Sequence, residues 1–140
     1  MDIPDVNVWL ALVDQNHLHH NAAASYWENT AATQIAFTGV SMMGFLRLST
    51  QPRVLSRTLT PPEAWELYRQ FLADPNHCLL QEPASLDHHF AALTTQATLP
   101  HHLWTDAYLA AFAIACGCRL VSFDADFVRF PGLNFLHLKP

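Results

Sequence analysis

Three aspartates stand where the residue pattern places strand ends and a helix start. Asp5 closes a short strand-like stretch over about residues 2–6. Asp124 follows the strand-like run Arg119-Leu120-Val121-Ser122-Phe123, and Asp106 lies in the first turn of a nearly all-apolar helical run. In an open parallel α/β sheet, ligands bind beyond the carboxyl ends of the strands. These three acids, far apart in sequence, are therefore expected to converge. Gathered carboxylates repel one another and raise their pKa values unless a cation neutralises them. Hard oxygen donors suit Mg²⁺ or Mn²⁺. Such ions activate water and stabilise in-line displacement at phosphorus. Each residue also has a plain structural reading: Asp106 can cap its helix, Asp124 can start a turn, and Asn7 can cap the first helix.

Bringing the acids together requires strands separated by helices, and the pattern supplies them. After the first strand, Val8, Trp9, Leu12 and Val13 recur at helical spacing. A second helix is expected over about residues 17–30, with Ala22, Tyr26 and Trp27 inward. Gln34 to Phe37 reads as a strand ending at Thr38, and Val40, Met43, Leu46 and Arg47 follow helical spacing. Thr60-Pro61-Pro62-Glu63 is the clearest helix start: Thr60 caps, Pro61 suits the first turn, and Glu63 can reach back. That helix is expected to bury Trp65, Leu67 or Tyr68, and Leu72. Residues 76–80 read as a strand, and Leu86, Phe90 and Leu93 mark a helix ending near Pro100. The apolar helix from Thr105 to Cys116 stops at Gly117, a C′ glycine. Strands over 119–123 and 134–138 complete the alternation. The fold class is α/β, with a mostly parallel central sheet, helices on both faces, and residues 1–140 as a single domain.

Composition narrows the chemistry. The net charge is −5, and Lys139 is the sole lysine among seven basic residues. A broad basic surface for duplex DNA is excluded. The four glycines, Gly39, Gly44, Gly117 and Gly132, are too scattered for a phosphate-cradling loop, which excludes P-loop and dinucleotide-binding designs. A D-x-D-x-T phosphatase signature is also absent: the chain reads Asp5-Val6-Asn7-Val8-Trp9. Three cysteines, two of them one residue apart, do not make a disulfide framework. The acidic N-terminus is not a signal peptide, and the longest apolar run, 107–118, is too short to span a bilayer. The expectation is a soluble, cytoplasmic protein. The nine histidines include adjacent pairs that diverge by about 100° on a helix, so zinc is a poor fit.

Four stretches carry a family resemblance. Asp5-Val6-Asn7-Val8-Trp9-Leu10 resembles the opening D-x-N motif of PIN-domain nucleases. Thr105-Asp106-Ala107-Tyr108-Leu109-Ala110 resembles the family's third-acid helix, and Ser122-Phe123-Asp124-Ala125-Asp126-Phe127 its T/S-F-D-x-D-F ending. Gly44-Phe45-Leu46-Arg47-Leu48-Ser49-Thr50 resembles the G-F-L-R-L-x-T stretch of VapC-type toxins. The resemblance spans essentially the whole chain. It implies a PIN-like three-layer sandwich and a Mg²⁺- or Mn²⁺-dependent endoribonuclease. It also implies an RNA substrate, a cognate VapB-type antitoxin and a homodimer, with the second and fourth helices as candidate interfaces. By this resemblance Asp5, Asp106 and Asp124 are the catalytic, metal-holding acids. Asn7, Thr105 and Asp126 support them.

The resemblance puts the family's second acid at Met42, with Met43 as the alternative register, and the neutral thioether of neither can replace a carboxylate on a hard cation. Two readings follow: a site that binds metal through the remaining aspartates, or a non-catalytic or weakly active PIN-like protein that binds RNA or a protein partner. The remaining glutamates, at positions 28, 63, 66 and 82, do not match the motif. Arg47, Arg53 and Arg57 are candidate contacts to RNA phosphates, since local rather than total charge governs such contacts.

Overall fold

The computed structural model describes residues 1–96 and 98–140. Its centre is a five-stranded sheet built from β1 (Asp2–Pro4), β2 (Ile35–Phe37), β3 (His77–Leu79), β4 (Arg119–Ser122) and β5 (Phe135–His137). The strands lie in the order β3-β2-β1-β4-β5, and every neighbouring pair is parallel. Six α-helices connect them: α1 (Val6–Val13), α2 (His20–Asn29), α3 (Gly39–Ser49), α4 (Pro61–Leu72), α5 (Leu86–Thr94) and α6 (Trp104–Cys116).

The period-two alternation of the strands sorts the helices into two outer layers. Ile3, Ala36 and Leu120 point to one face, where they pack with Ala107, Ala110, Ala111 and Phe112 of α6 and Leu86 and Leu93 of α5. Ile35 and Phe37 point to the other face, against Trp9 of α1, Phe45 of α3 and Ala64 and Tyr68 of α4. Trp9 stacks on Phe37 with ring centroids 3.8 Å apart, and its indole N–H donates to the Pro4 carbonyl at 3.0 Å. Val121 continues this layer with Val8 and Tyr26.

Opposite the acids, at the amino-terminal ends of β1 and β4, lies a buried ion pair. Asp2, 1% exposed, takes both Nε (2.9 Å) and Nη2 (2.8 Å) of Arg119, the Tyr26 hydroxyl (2.8 Å) and the Ala32 amide (3.0 Å). Burial alone would raise the Asp2 pKa. The hydrogen bonds from Arg119, Ala32 and Tyr26 outweigh it and hold the carboxyl below its ordinary value. At the same burial the Tyr26 hydroxyl is pushed far above its usual range.

The structure differs from the sequence reading in a few places. Helix α2 starts at His20 rather than near His17, because Asp14 turns the chain by accepting from the Asn16 amide and from both the amide and hydroxyl of Ser56. Ala23, not Ala22, is the fully buried alanine of that helix. Trp65 is 41% exposed, because the inward stripe of α4 runs through Ala64, Tyr68 and Phe71, about a quarter-turn away. Arg69 lies 5.5 Å from its ring centroid. Thr60 caps α4 as expected, but Glu63 accepts from the Thr60 hydroxyl and pairs with Arg57 instead of closing a capping box. A complete capping box does occur at α3, between the buried residues Thr38 and Ser41.

Candidate active site

The carboxyl ends of β1 and β4 are adjacent, which brings Asp5 and Ser122 into contact. The Asp5 carboxylate caps α1 by accepting the Val6 amide at 2.7 Å. Its other oxygen accepts the Ser122 hydroxyl at 2.8 Å and the Asn7 side-chain amide at 3.1 Å. Asn7 also donates to Ser122 Oγ at 2.9 Å, and its carbonyl oxygen accepts the Phe123 amide at 3.3 Å. Ser122 Oγ then accepts the Asp124 amide at 3.0 Å. Asp5 is thus the residue that caps the first helix, and Asn7 ties β1 to the turn after β4. Ser122, which sequence reasoning left without a role, is the hub. Its signal was a hydroxyl residue at the last position of an otherwise apolar strand.

Asp106 arrives from the opposite layer. It occupies the third position of α6, yet the start of that helix has no side-chain cap. Among the described residues no hydrogen bond reaches its carboxylate, so capping does not account for it. Burial first, then the charges of Asp5, Asp124 and Asp126, push its pKa up to about 6. Burial and the charge of Asp124 also raise Asp5, against the pull of the Ser122 and Val6 hydrogen bonds. Asp124 accepts the Asp126 amide at 2.8 Å and starts the short 3-10 turn Ala125–Arg129, so it does have a turn-forming role.

This donor set fits a hard divalent cation: the charges of Asp5, Asp124 and Asp126 all reach Asp106, and no cationic side chain pairs with these four among the described residues. Among those residues no three His, Cys, Asp or Glu side chains are drawn tightly around a single point. Closing on an ion therefore requires side-chain rotation, for which the unbonded Asp106 carboxylate is free.

A cleft of about 830 Å³ opens beside these acids. Asp5, Thr105 and Asp106 line one end. Met42, Met43, Arg47 and Leu48 of α3 form one wall, Tyr108 and Leu109 of α6 the other, and Leu79 to Glu82 the far end. Asp124 and Asp126 act on Asp106 from outside this lining. Arg53 and Arg57 lie elsewhere. Arg57 is tied to Glu63 at 2.6 Å, and Arg53 is an exposed loop residue with a φ of 68°.

Residues 3–133 match the PIN-domain family model. The chain belongs to the PIN-domain family. Ribonuclease VapC41 of Mycobacterium tuberculosis is 36% identical over 136 residues, which cover 93% of each chain. Ribonuclease VapC33 of the same organism is 36% identical over 138 residues, 96% of each chain. Among solved structures, M. tuberculosis VapC20, described as a sarcin–ricin loop cleaving toxin, aligns over the full length of both chains with a TM-score of 0.74 at 16% identity. VapBC2 of Rickettsia felis, bound to a promoter DNA fragment, aligns over 99% of this chain and 98% of its own with a TM-score of 0.68 at 15% identity. The five-stranded parallel sheet between two helical layers is the PIN-type architecture shared with those structures.

Two further residues shape this cleft. Met42, where the sequence resemblance places the family's second acid, lies on the same cleft as Asp5 and Asp106, so the α3 wall there is apolar. Glu82, which matches no family motif, reaches the cleft from the other end and accepts the Tyr108 hydroxyl. It is not among the carboxylates that raise Asp106.

Proposed function

We propose that this PIN domain is a Mg²⁺- or Mn²⁺-dependent endoribonuclease, the toxin of a VapBC-type pair. The observation that carries the reading is the convergence of Asp5, Asp106 and Asp124, with the Asp106 pKa raised by burial and by its neighbours' charge. Those three residues would hold the ion, and Asp126 adds negative charge at the rim. A bound divalent ion supplies the positive charge that offsets the carboxylates, polarises water and stabilises an in-line phosphoryl displacement. Ser122 and Asn7 keep the Asp5 oxygens aimed through direct hydrogen bonds, as supporting groups around a metal do. Thr105, exposed beside Asp106, is placed to contact a phosphate oxygen or ordered water. Arg47, which makes no ion pair among the described residues, offers a phosphate contact at the cleft wall.

The solved VapBC neighbours support a VapB-type partner; a homodimer and a cytoplasmic setting complete the same proposal. No helix among the described residues is long and apolar enough to cross a membrane. Incubating the protein with unstructured RNA tests the nuclease reading: cleavage with Mg²⁺ or Mn²⁺ that stops in EDTA supports it, and metal-independent cleavage contradicts it. Expression in a bacterial host should arrest growth, and co-expression of the cognate antitoxin should relieve the arrest.

Met42 favours a second reading, a PIN-like protein that binds RNA or a protein without cutting. Calorimetric titration separates the two. Failure to bind Mn²⁺ at millimolar concentration favours the second.

A further inference from the structure

We propose that the end of the cleft away from the aspartates is a nucleobase subsite in which Glu82 selects guanine. The inference rests on the ribonuclease reading and names the base that the enzyme prefers beside the bond it cuts. One continuous cleft runs from Asp5 and Asp106 to Glu82. Its volume, about 830 Å³, lies within the range of sites that enclose a nucleotide-sized ligand. Between the two acidic ends the walls are mostly apolar, with Met42 and Leu48 on one side and Leu80 and Tyr108 on the other, and Arg47 is the one cation of the lining among the described residues. A phosphodiester placed at the aspartate end therefore has its neighbouring base beside a largely apolar surface, with Arg47 available to the phosphate. Unpaired RNA bases bind by this combination of apolar or aromatic packing and hydrogen bonds to the base edge.

The wall and the reading group are already positioned. Phe90 packs edge-on against the Tyr108 ring, with centroids 5.4 Å apart and planes at 80°. The Tyr108 hydroxyl donates to Glu82 Oε1, which tethers this solvent-exposed carboxylate to the α6 wall. Oε2 has no hydrogen-bond partner among the described residues. An ionised carboxylate only accepts, and its oxygens carry spare lone pairs even when one takes a tyrosine proton. Guanine presents two adjacent donors, N1–H and the N2 amine, which match two carboxylate oxygens. Adenine and cytosine offer one amine, and uracil one imide N–H. The geometry thus favours guanine, and it gives Glu82 a task separate from metal binding, consistent with its absence from the charges acting on Asp106.

The test is an anisotropy titration in EDTA, where no metal-dependent cleavage occurs. The probes are a labelled uridine oligomer with one central guanosine and the same oligomer with inosine, which lacks only the N2 amine. The wild-type protein should prefer guanosine by roughly 5- to 30-fold, the lower part of the range for a bidentate base contact. Glu82→Gln replaces one acceptor by a donor. It should erase the preference by lowering guanosine affinity to that of inosine, while leaving the melting temperature and the Mn²⁺ affinity within about twofold. Equal binding of the two oligomers by the wild type, a preference that survives Glu82→Gln, or no binding of either oligomer overturns the proposal. A protein that shows the Glu82-dependent preference but cuts no RNA with Mn²⁺ retains the subsite and refutes the nuclease reading instead.

Discussion

Asp106→Asn should stabilise the metal-free protein at neutral pH while removing part of the proposed metal site. The carboxyl's pKa is raised from the ordinary 3.8 to about 6, by burial and by Asp5, Asp124 and Asp126. Between those two values the folded state holds a proton that the unfolded state has released. Folding stability therefore falls as pH rises through this window, and the full deficit is present above about pH 6. At about 1.4 kcal/mol per pKa unit the upper bound is about 3 kcal/mol. Asp106 is partly exposed. Solvent screening reduces the expected gain from the neutral isostere to about 1–2 kcal/mol. For a domain of this size that is a rise in melting temperature of roughly 3–8 °C. Thermal denaturation in EDTA at pH 7.5 and pH 5 reads it out: the gain is full at the higher pH and falls to about half at the lower one. Adding Mn²⁺ should then raise the melting temperature of the wild type more than that of Asp106→Asn, because binding to the folded state stabilises by mass action. An Asp106→Asn protein that melts at or below wild type at pH 7.5, or gains equally at both pH values, refutes the claim of mutual carboxylate repulsion.

Other perturbations reach the rest of the structure. Arg119→Ala strands the buried Asp2 carboxylate and should cost about 3 kcal/mol in urea denaturation at neutral pH. Asp2 is held below its ordinary pKa, so this contribution is present at neutral pH and lost as acid titrates the folded carboxyl. The Arg119→Ala penalty should accordingly shrink toward pH 3. At Gly44 an added Cβ would lie 2.6 Å from Val6 Cγ2, where α3 crosses the start of α1. Gly44→Ala should destabilise by about 1–3 kcal/mol, and adding Val6→Ala should recover most of the loss. Met42→Glu places a carboxylate on the cleft wall facing Asp5 and Asp106, and calorimetry should show Mn²⁺ bound roughly 5- to 30-fold more tightly, as expected for one added charge at moderate effective dielectric. Unchanged affinity would mean that the α3 wall is too far from the ion to serve it.

Most of the architecture was readable because each strand is punctuated. Thr38 and Ser41 begin α3, Thr60 and Pro61 begin α4, and Gly117, with a φ of 64°, ends α6. The alternation of strand and helix then requires parallel pairing, and parallel pairing requires that Asp5 and Asp124 share one sheet edge. What escaped was angular and lateral information. Trp65 is apolar but lies a quarter-turn off the buried stripe of α4, and only packing against Phe37 and Phe45 fixes which stripe that is. The start of α2 depends on Asp14 bonding to Ser56, a long-range contact that no local pattern encodes. At the site, Asp5 and Asp106 were visible as isolated acids at element ends. The Ser122 hub was not, since a strand-end serine is common and its three partners come from two segments distant in sequence. Glu82 was passed over for the same reason: the cleft that unites it with Tyr108 exists only after β3 and α6 are placed.

The proposed role of the carboxylates converging on Asp5 is to hold a divalent ion for RNA hydrolysis. Its most direct test is cleavage of a labelled RNA in Mn²⁺ by wild type and by Asp5→Asn, each confirmed folded by circular dichroism. The wild type should cleave in an EDTA-sensitive manner and Asp5→Asn should lose at least about 100-fold, the scale of removing a principal source of transition-state stabilisation. Cleavage by Asp5→Asn at the wild-type rate would contradict the proposed role.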